Sequence, residues 1–300
     1  MGHTKRTLAV IALLVSAVFW ASAYLFVKQV IEVMSPYYLL SFRYLLAAAL
    51  MFLIALPRLK HMTKELFKGG VLMGTALFVE FLTFTVGLKY TTASRSSFIV
   101  AGYIIILPFV YMLIRRKMPK KQELAAAVLC MIGIAFILTG GEGSLNKGDV
   151  ITAFCAVSYA FHIVFSGKYA KQHDGILLNL VQIGTTAVFA TITALLFGTP
   201  PETITLGQAG SILYLAAGAT IVPYLLCLYG QKYVSTTTSG IVLSFESVFA
   251  TLLSILFLHD KISLQFAFGG LLVIGAFFVS EWKEKKKENE SDGERITEKK

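Results

Sequence analysis

The chain has 300 residues, of which 56% are hydrophobic and 15% charged, and its mean hydropathy is +0.71. A soluble protein is nearer half apolar and a quarter charged, so this composition excludes a disordered chain, a fibrous repeat and a secreted disulfide scaffold, and it argues against a soluble enzyme. The apolar runs are about 18–23 residues long, enough to cross a hydrocarbon core roughly 30 Å thick. The composition therefore indicates a multi-pass membrane protein.

Ten apolar segments follow one another along the chain, and all are predicted to be membrane-spanning helices. Barrel strands would be about ten residues long and would alternate strictly between apolar and polar residues, which these segments do not. The predicted ranges are 7–29, 37–56, 66–88, 94–114, 121–139, 149–167, 175–197, 208–229, 238–257 and 263–281. The first segment follows Lys5 and Arg6 but is too long for the core of a signal peptide, so it is predicted to be a retained helix.

The basic residues predict the orientation of these segments. With a cytoplasmic N-terminus, 21 basic residues fall on the cytoplasmic side and five on the outer side, or 14 against five without the charged tail at 282–300. The positive-inside rule therefore predicts a cell-membrane protein with both termini in the cytoplasm. The basic stretch at 283–287 is expected to meet anionic lipid headgroups at the cytoplasmic face. Nucleic-acid binding, which needs a basic soluble face with interleaved aromatics, is not expected.

The two halves of the chain carry an internal repeat. Gly87-Leu-Lys-Tyr-Thr-Thr recurs as Gly230-Gln-Lys-Tyr-Val-Ser at an offset of 143, and Gly133 aligns with Gly275 at an offset of 142. An odd number of helices in each half makes the two copies cross the membrane in opposite directions. The predicted fold is an all-α membrane protein of ten transmembrane helices in two inverted five-helix repeats, residues 1–140 and 148–281. Such repeats are typical of transporters with a site near the midplane, although a channel or an enzyme could carry them.

Four short motifs add a family resemblance through their order and spacing. They are Trp20-Ala21-Ser22 followed by Lys28, Pro36 seven residues before Arg43, Gly87 with Tyr90-Thr91-Thr92-Ala93, and Tyr103 with Pro108. In these features the chain resembles the drug/metabolite transporter superfamily, in particular its EamA-type ten-helix transporters. Two places depart from the family pattern: Glu246-Ser247-Val248 replaces a common Glu-Pro-Val, and His259-Asp260 replaces a common Gly-Glu.

The resemblance implies two five-helix bundles with helices 5 and 10 at the periphery. It further implies a central cavity lined by helices 1, 3, 4, 6, 8 and 9, and a small metabolite, commonly an amino acid, that is moved outward. Six aromatic residues fall on these lining helices and are candidates for apolar or cation–π contact with the substrate. They are Trp20, Tyr24, Phe81, Tyr103, Tyr159 and Tyr224. The alternative is that these side chains face lipid or simply pack between helices.

Four ionisable residues within the segments are candidate binding or coupling residues, because a charge inside a membrane is costly unless it is paired or hydrated. Arg43 and Glu80 lie roughly 9 and roughly 12 Å from the outer ends of consecutive helices, which predicts an ion pair that could equally be structural. Glu246, near the middle of span 9, is the predicted substrate-binding or coupling carboxylate, and the alternative is a neutral carboxyl bonded to a nearby serine. His162 is either a cavity residue or a packing residue.

No signature of a soluble catalytic or nucleotide site accompanies these residues. The three cysteines are isolated within spans, and the glycines at 140–143 form a short outer turn without the strand that a nucleotide loop requires. No metal and no cofactor are expected. The predicted function is secondary active export of a small metabolite by alternating access, with proton coupling left open. The alternatives are an uptake carrier or uncoupled facilitator and, from another class, a membrane-embedded enzyme or scaffold; we do not expect an enzyme.

Overall fold

The computed structural model describes residues 2–116, 121–139, 145–276 and 278–279. The regular elements within these residues are all helical, which confirms the predicted all-α fold class. The predicted tail at 282–300, with its basic stretch, lies outside the described residues. So do the turn at 140–143 and the end of the tenth predicted segment.

The helices follow the ten predicted segments in order, with three segments divided. The undivided ones are α1 (Gly2–Ile31), α2 (Pro36–Ala55), α3 (Lys64–Leu88), α6 (Lys121–Thr139), α7 (Lys147–Tyr169), α8 (Gly175–Phe197) and α13 (Leu264–Ala276). The fourth segment is divided into α4 (Ala93–Ala101) and α5 (Tyr103–Arg115). The eighth segment is divided into α9 (Leu206–Ala216) and α10 (Val222–Tyr233). The ninth segment is divided into α11 (Thr236–Leu243) and α12 (Phe245–Leu258).

Eight helical segments of the described chain are long and apolar enough to cross a membrane. The fifth and tenth segments appear as shorter apolar helices, Leu124–Ile137 and Leu264–Ala276. These two helices pack closely against each other: a Cβ atom on Gly133 would lie only 2.7 Å from the carbonyl oxygen of Gly269. Close packing through small residues is how membrane helices gain contact without a hydrophobic driving force.

The helix boundaries follow from local chemistry. Pro36 lies at the first position of α2, where its missing N–H is not needed. Short polar side chains accept a hydrogen bond from a backbone N–H of the first turn and so cap seven of the described helices. These N-cap residues are Thr63, Thr92, Asn146, Asp174, Thr205, Ser235 and Ser263.

The divisions of segments 4 and 9 come at equivalent places in the two repeats. Gly102 separates α4 from α5, and Ser244 separates α11 from α12, an offset of 142. Both second pieces end on a residue with left-handed backbone, Arg116 with φ 53° and His259 with φ 57°. His259 thus occupies a conformation that glycine adopts without strain.

The inverted relation between the repeats is visible in the packing. Gly87 at the end of α3 lies against Thr152 near the start of α7, where a Cβ atom would approach the threonine oxygen to 2.5 Å. Gly230 at the end of α10 lies against Ala9 near the start of α1, with its Cβ position 3.0 Å from the alanine carbonyl oxygen. The two contacts are equivalent in the repeat, because Gly87 aligns with Gly230 and Thr152 aligns with Ala9 at the same offset of 143. They lie at opposite faces of the helical bundle.

Candidate functional site

A small cavity lies where the first and second repeats meet. About 30 Å³ is open to the centre of a water molecule, which is room for on the order of two waters. Helices α1, α3, α4, α7 and α12 supply its walls, which are five of the six lining segments that the family resemblance implies; the eighth segment, with Tyr224, contributes none of its described residues to the lining of this cavity. The lining residues are Trp20, Ala23, Tyr24, Glu80, Phe81, Phe84, Val100, Cys155, Tyr159 and Glu246.

Glu246 reaches the cavity from the ninth segment. It lies in the first turn of α12, two residues after the turn at Ser244, where the backbone stays in the helical region. The Tyr24 hydroxyl on α1 is the hydrogen-bonding neighbour of the Glu246 side chain. The carboxyl group of Glu246 thus has a phenol beside it and one face open to the cavity.

Glu80, the second carboxylate of the cavity, is only 6% exposed. Its Oε2 atom lies 3.8 Å from Nδ1 of His162 on α7, and the Tyr224 hydroxyl is a hydrogen-bonding neighbour of the carboxyl group. Nε2 of His162 in turn lies 3.0 Å from Oε1 of Gln182 on α8. His162 also packs its ring edge-on against Tyr224. The structure therefore brings His162 directly behind a cavity carboxylate.

Arg43 does not form the predicted ion pair with Glu80 among the salt bridges of the described residues. Its guanidinium instead donates to Thr220 Oγ1 at 2.8 Å and to the Ala219 carbonyl at 2.9 Å. That carbonyl lies four residues before Pro223, which has no N–H to offer it, and the chain adopts a π-turn at Ala217–Ile221. Arg43 thus satisfies the backbone at the break in the eighth segment.

The six predicted aromatic residues form one connected cluster. Trp20 contacts Tyr159 and Tyr224 with ring centroids 6.1 and 5.0 Å apart, and Tyr103 contacts Tyr159 at 4.6 Å. Phe81 extends the cluster from Tyr224 at 6.4 Å, and Tyr24 joins it through Phe84, a residue that the sequence analysis did not single out.

Two polar atoms of this cluster, Trp20 Nε1 and Tyr159 Oη, are buried without a hydrogen-bond partner. Leaving a buried donor or acceptor unpaired costs about 1–3 kcal/mol each. Both residues line the cavity, so these atoms are available to a polar molecule bound between the aromatic faces.

A layer of polar contacts lies between the cavity and the face expected to be outside. Asp149 at the start of α7 is paired with Arg95 of α4, 2.8 Å from its Nη2 atom, and accepts a hydrogen bond from Thr91 at 2.9 Å. Lys147 lies over the ring of Tyr90 at 3.8 Å. Since these pairs join the two repeats, we call residues 90, 91, 95, 147 and 149 the outer layer.

The opposite face carries a more exposed set of contacts. Arg58 pairs with Asp174 at 2.6 Å, and the amides of Ile176 and Leu177 also donate to this carboxylate. Burial alone would raise the pKa of Asp174, but the hydrogen bonds from Arg58 and the two amides outweigh it and hold the pKa below its ordinary value. Lys5 lies 5.8 Å from the ring of Tyr233, the repeat counterpart of Tyr90.

Sequence reasoning missed three features of the site. Cys155 and Val100 line the cavity as ordinary apolar residues within spans, with no signal to single them out. Gln182 and Asn179 are fully buried on α8, and their spacing of three residues inside an apolar segment was a detectable sign of a buried polar face. The breaks at Gly102 and Ser244 had no comparable signature.

Helical spans in two inverted repeats, enclosing a cavity with buried carboxylates, define a multi-pass membrane protein. A protein of known crystal structure has the same fold, with a TM-score of 0.71 at 15% identity over 93% of this chain and 98% of that one.

Sequence comparisons give the family. The model of the EamA-like transporter family matches residues 7–139 and 146–281, and the chain belongs to that family. An uncharacterized transporter of Archaeoglobus fulgidus is 29% identical, over 92% of this chain and 86% of its own length. The uncharacterized transporter YcbK of Bacillus subtilis is 28% identical, over 90% of each chain. The resemblance read from the motifs is therefore confirmed.

Proposed function

We propose that this protein is a secondary transporter that exports a small metabolite with a positively charged amine, such as an amino acid, by alternating access. The observation that carries the proposal is the pairing of Glu246 with an aromatic cavity at the junction of the repeats. A carboxylate attracts an ammonium group, and the faces of Trp20 and Tyr159 attract it further through cation–π interaction.

Burial of the site explains why these groups would select a charged amine. A charge inside a low-dielectric site is costly unless it is paired, so Glu246 gains a partner when an ammonium group arrives. The unpaired Tyr159 hydroxyl and Trp20 indole nitrogen are positioned to bind the polar remainder of the substrate. The cavity must widen to admit an amino acid, since about 30 Å³ is too little for one.

Opening on one side at a time is supported by the arrangement of the repeats. The outer layer joins α3 and α4 of the first repeat to α7 of the second, and related contacts join α10 to α1 at the opposite face. Relative movement of the repeats would break one set and keep the other, which is the requirement of alternating access. In the expected orientation, export means that the substrate enters the cavity from the cytoplasmic face.

The test is transport by purified protein in liposomes, with radiolabelled amino acids and amines inside or outside and with a pH gradient of either sign. We expect flux of at least one amine-bearing solute, accelerated by an opposing proton gradient. Glu246→Gln should lose this flux, whereas the matched variant Glu65→Gln, which changes an exposed carboxylate at the start of α3, should retain it. Absence of flux for every solute, or full pH-dependent flux by Glu246→Gln, would contradict the proposal.

A further inference from the structure

Behind Glu80 runs a chain of fully buried polar side chains. Gln182 Nε2 donates to Asn179 Oδ1 at 2.7 Å, and Asn179 Nδ2 donates to the sulfur of Met51 at 3.6 Å. Gln182 Oε1 lies 3.0 Å from His162 Nε2. The chain therefore crosses from α2 through α8 to α7 and ends at the imidazole that faces Glu80.

The methionine end gives this chain its direction. A thioether sulfur accepts a hydrogen bond but has no hydrogen to donate, so Asn179 must present its NH₂ group to Met51 and its oxygen to Gln182. Gln182 then presents its oxygen to His162, which must carry a hydrogen on Nε2. In the neutral ring the remaining nitrogen is an acceptor, so a lone pair of His162 Nδ1 faces Glu80 Oε2 across 3.8 Å.

Two acceptors that face each other without a hydrogen between them repel, whereas one proton placed on either partner makes the contact favourable. The charged groups around Glu80 are Arg43 on α2, which is bonded to the helix break, and Glu246 on α12. The Tyr224 hydroxyl is a hydrogen-bonding neighbour of Glu80. The other ionisable groups near Glu80 are Tyr24, Tyr44, Tyr159, Cys155 and Cys227. His162 itself is faced by Glu80, Gln182 and Tyr224.

We propose that Glu80 and His162 together bind a single proton, and that the chain of Met51, Asn179 and Gln182 positions them to do so. A hydronium ion of the water that enters the opened cavity delivers the proton: one of its O–H bonds breaks, a water molecule is left, and the proton is held between Oε2 and Nδ1. Its release leaves Glu80 anionic beside Glu246, so the cavity gains negative charge and binds an ammonium group more tightly. Proton and substrate therefore compete for the cavity. This inference rests on the proposed function for its coupling role.

Nitrogen NMR of protein labelled with ¹⁵N-histidine tests the site without any substrate. The chain has five histidines, and the signals lost in His162→Gln assign those of residue 162. We expect an Nε2–H tautomer with Nδ1 unprotonated at high pH, and one titration as the pH is lowered from the basic to the acidic end of the range in which the protein stays folded. Gln182→Leu should disturb the tautomer, whereas Gln172→Leu, at an exposed glutamine, should leave it unchanged. If His162 of the unsubstituted protein carried its hydrogen on Nδ1 at every pH, that result alone would overturn the proposal.

Infrared difference spectra between the two ends of this pH range identify the carboxyl group that takes part. Glu80→Gln and His162→Gln should each abolish the same single protonation step, and two independent steps would overturn the shared site. In liposomes both variants should lose the response of flux to a pH gradient while Gln172→Leu keeps it. A normal titration with no flux of any solute contradicts only the proposed function. Normal pH-driven flux by Glu80→Gln contradicts only the proton site.

Discussion

Removal of the charge on Asp149 is expected to open the cavity to the outer face. Asp149 is 2% exposed, is paired with Arg95, and accepts hydrogen bonds from Thr91 and from the amide of Asn146. Two of these partners belong to the first repeat, so their contacts exist only while the outer layer is closed. In Asp149→Asn one oxygen becomes an NH₂ group that faces donors.

The size of the effect follows from the burial of the pair. Removing one partner from a buried ion pair costs about 3–5 kcal/mol, and the slightly exposed arginine places this case at about 2–3 kcal/mol. Since about 1.4 kcal/mol is a factor of ten, the ratio of outward-open to closed protein should rise about 30- to 150-fold. Cys155 lines the cavity about 9 Å further along the same helix, and its thiol reports the opening.

The assay is the rate at which a membrane-impermeant maleimide, added outside, labels Cys155 in a Cys130→Ser, Cys227→Ser background. We expect labelling to accelerate in Asp149→Asn and to remain slow in Asp174→Asn, which removes a carboxylate at the opposite face. A parallel background that keeps only Cys130, buried on α6, detects general unfolding. Unchanged labelling of Cys155, or equal acceleration in both carboxylate variants, would refute the assignment of Asp149 to a closed outer layer.

Three further predictions concern stability, measured as the melting temperature of purified protein. Arg43→Met should destabilise it by about 1–3 kcal/mol, because the carbonyl at the helix break loses its donor; an unchanged melting temperature would contradict that role. Gly133→Ala should destabilise through overpacking, whereas Gly184→Ala, with open space around its Cβ position, should stabilise its helix; equal effects would exclude the close α6–α13 contact. The lowered pKa of Asp174 means that its carboxylate contributes stability at neutral pH that is lost as the pH falls through that pKa. Asp174→Asn, which keeps a capping oxygen, should therefore lower the melting temperature at neutral pH and have little effect in acid.

Much of the fold was predictable because membrane-spanning helices must satisfy their backbone internally and leave long apolar runs in the sequence. The divisions of the fourth and ninth segments were not, since Gly102 and Ser244 are ordinary residues for membrane helices. The division of the eighth was hinted at by Pro223, but the π-turn before it depends on Thr220 and Arg43, which come together only in three dimensions.

The site was predictable in membership but not in pairing. Charges inside apolar segments pointed to Glu80 and Glu246, and both line the cavity. Depth along a helix gave Arg43 and Glu80 a similar height, yet height does not specify the direction in which a side chain points around its helix. Arg43 points to the eighth segment and Glu80 to His162, which no count of residues along the chain could reveal.

The two related lysine–tyrosine contacts give a measure of the conformational state of the protein. Lys147 lies 3.8 Å from the Tyr90 ring on one face, while Lys5, one position after the residue that aligns with Lys147 at the offset of 143, lies 5.8 Å from Tyr233 on the other. Two halves that share one fold can exchange their conformations, and each would then adopt the geometry that its counterpart has now. The asymmetry between the halves therefore describes the opposite end point of the proposed transport cycle: it is the arrangement in which the shorter distance belongs to Lys5 and the longer one to Lys147.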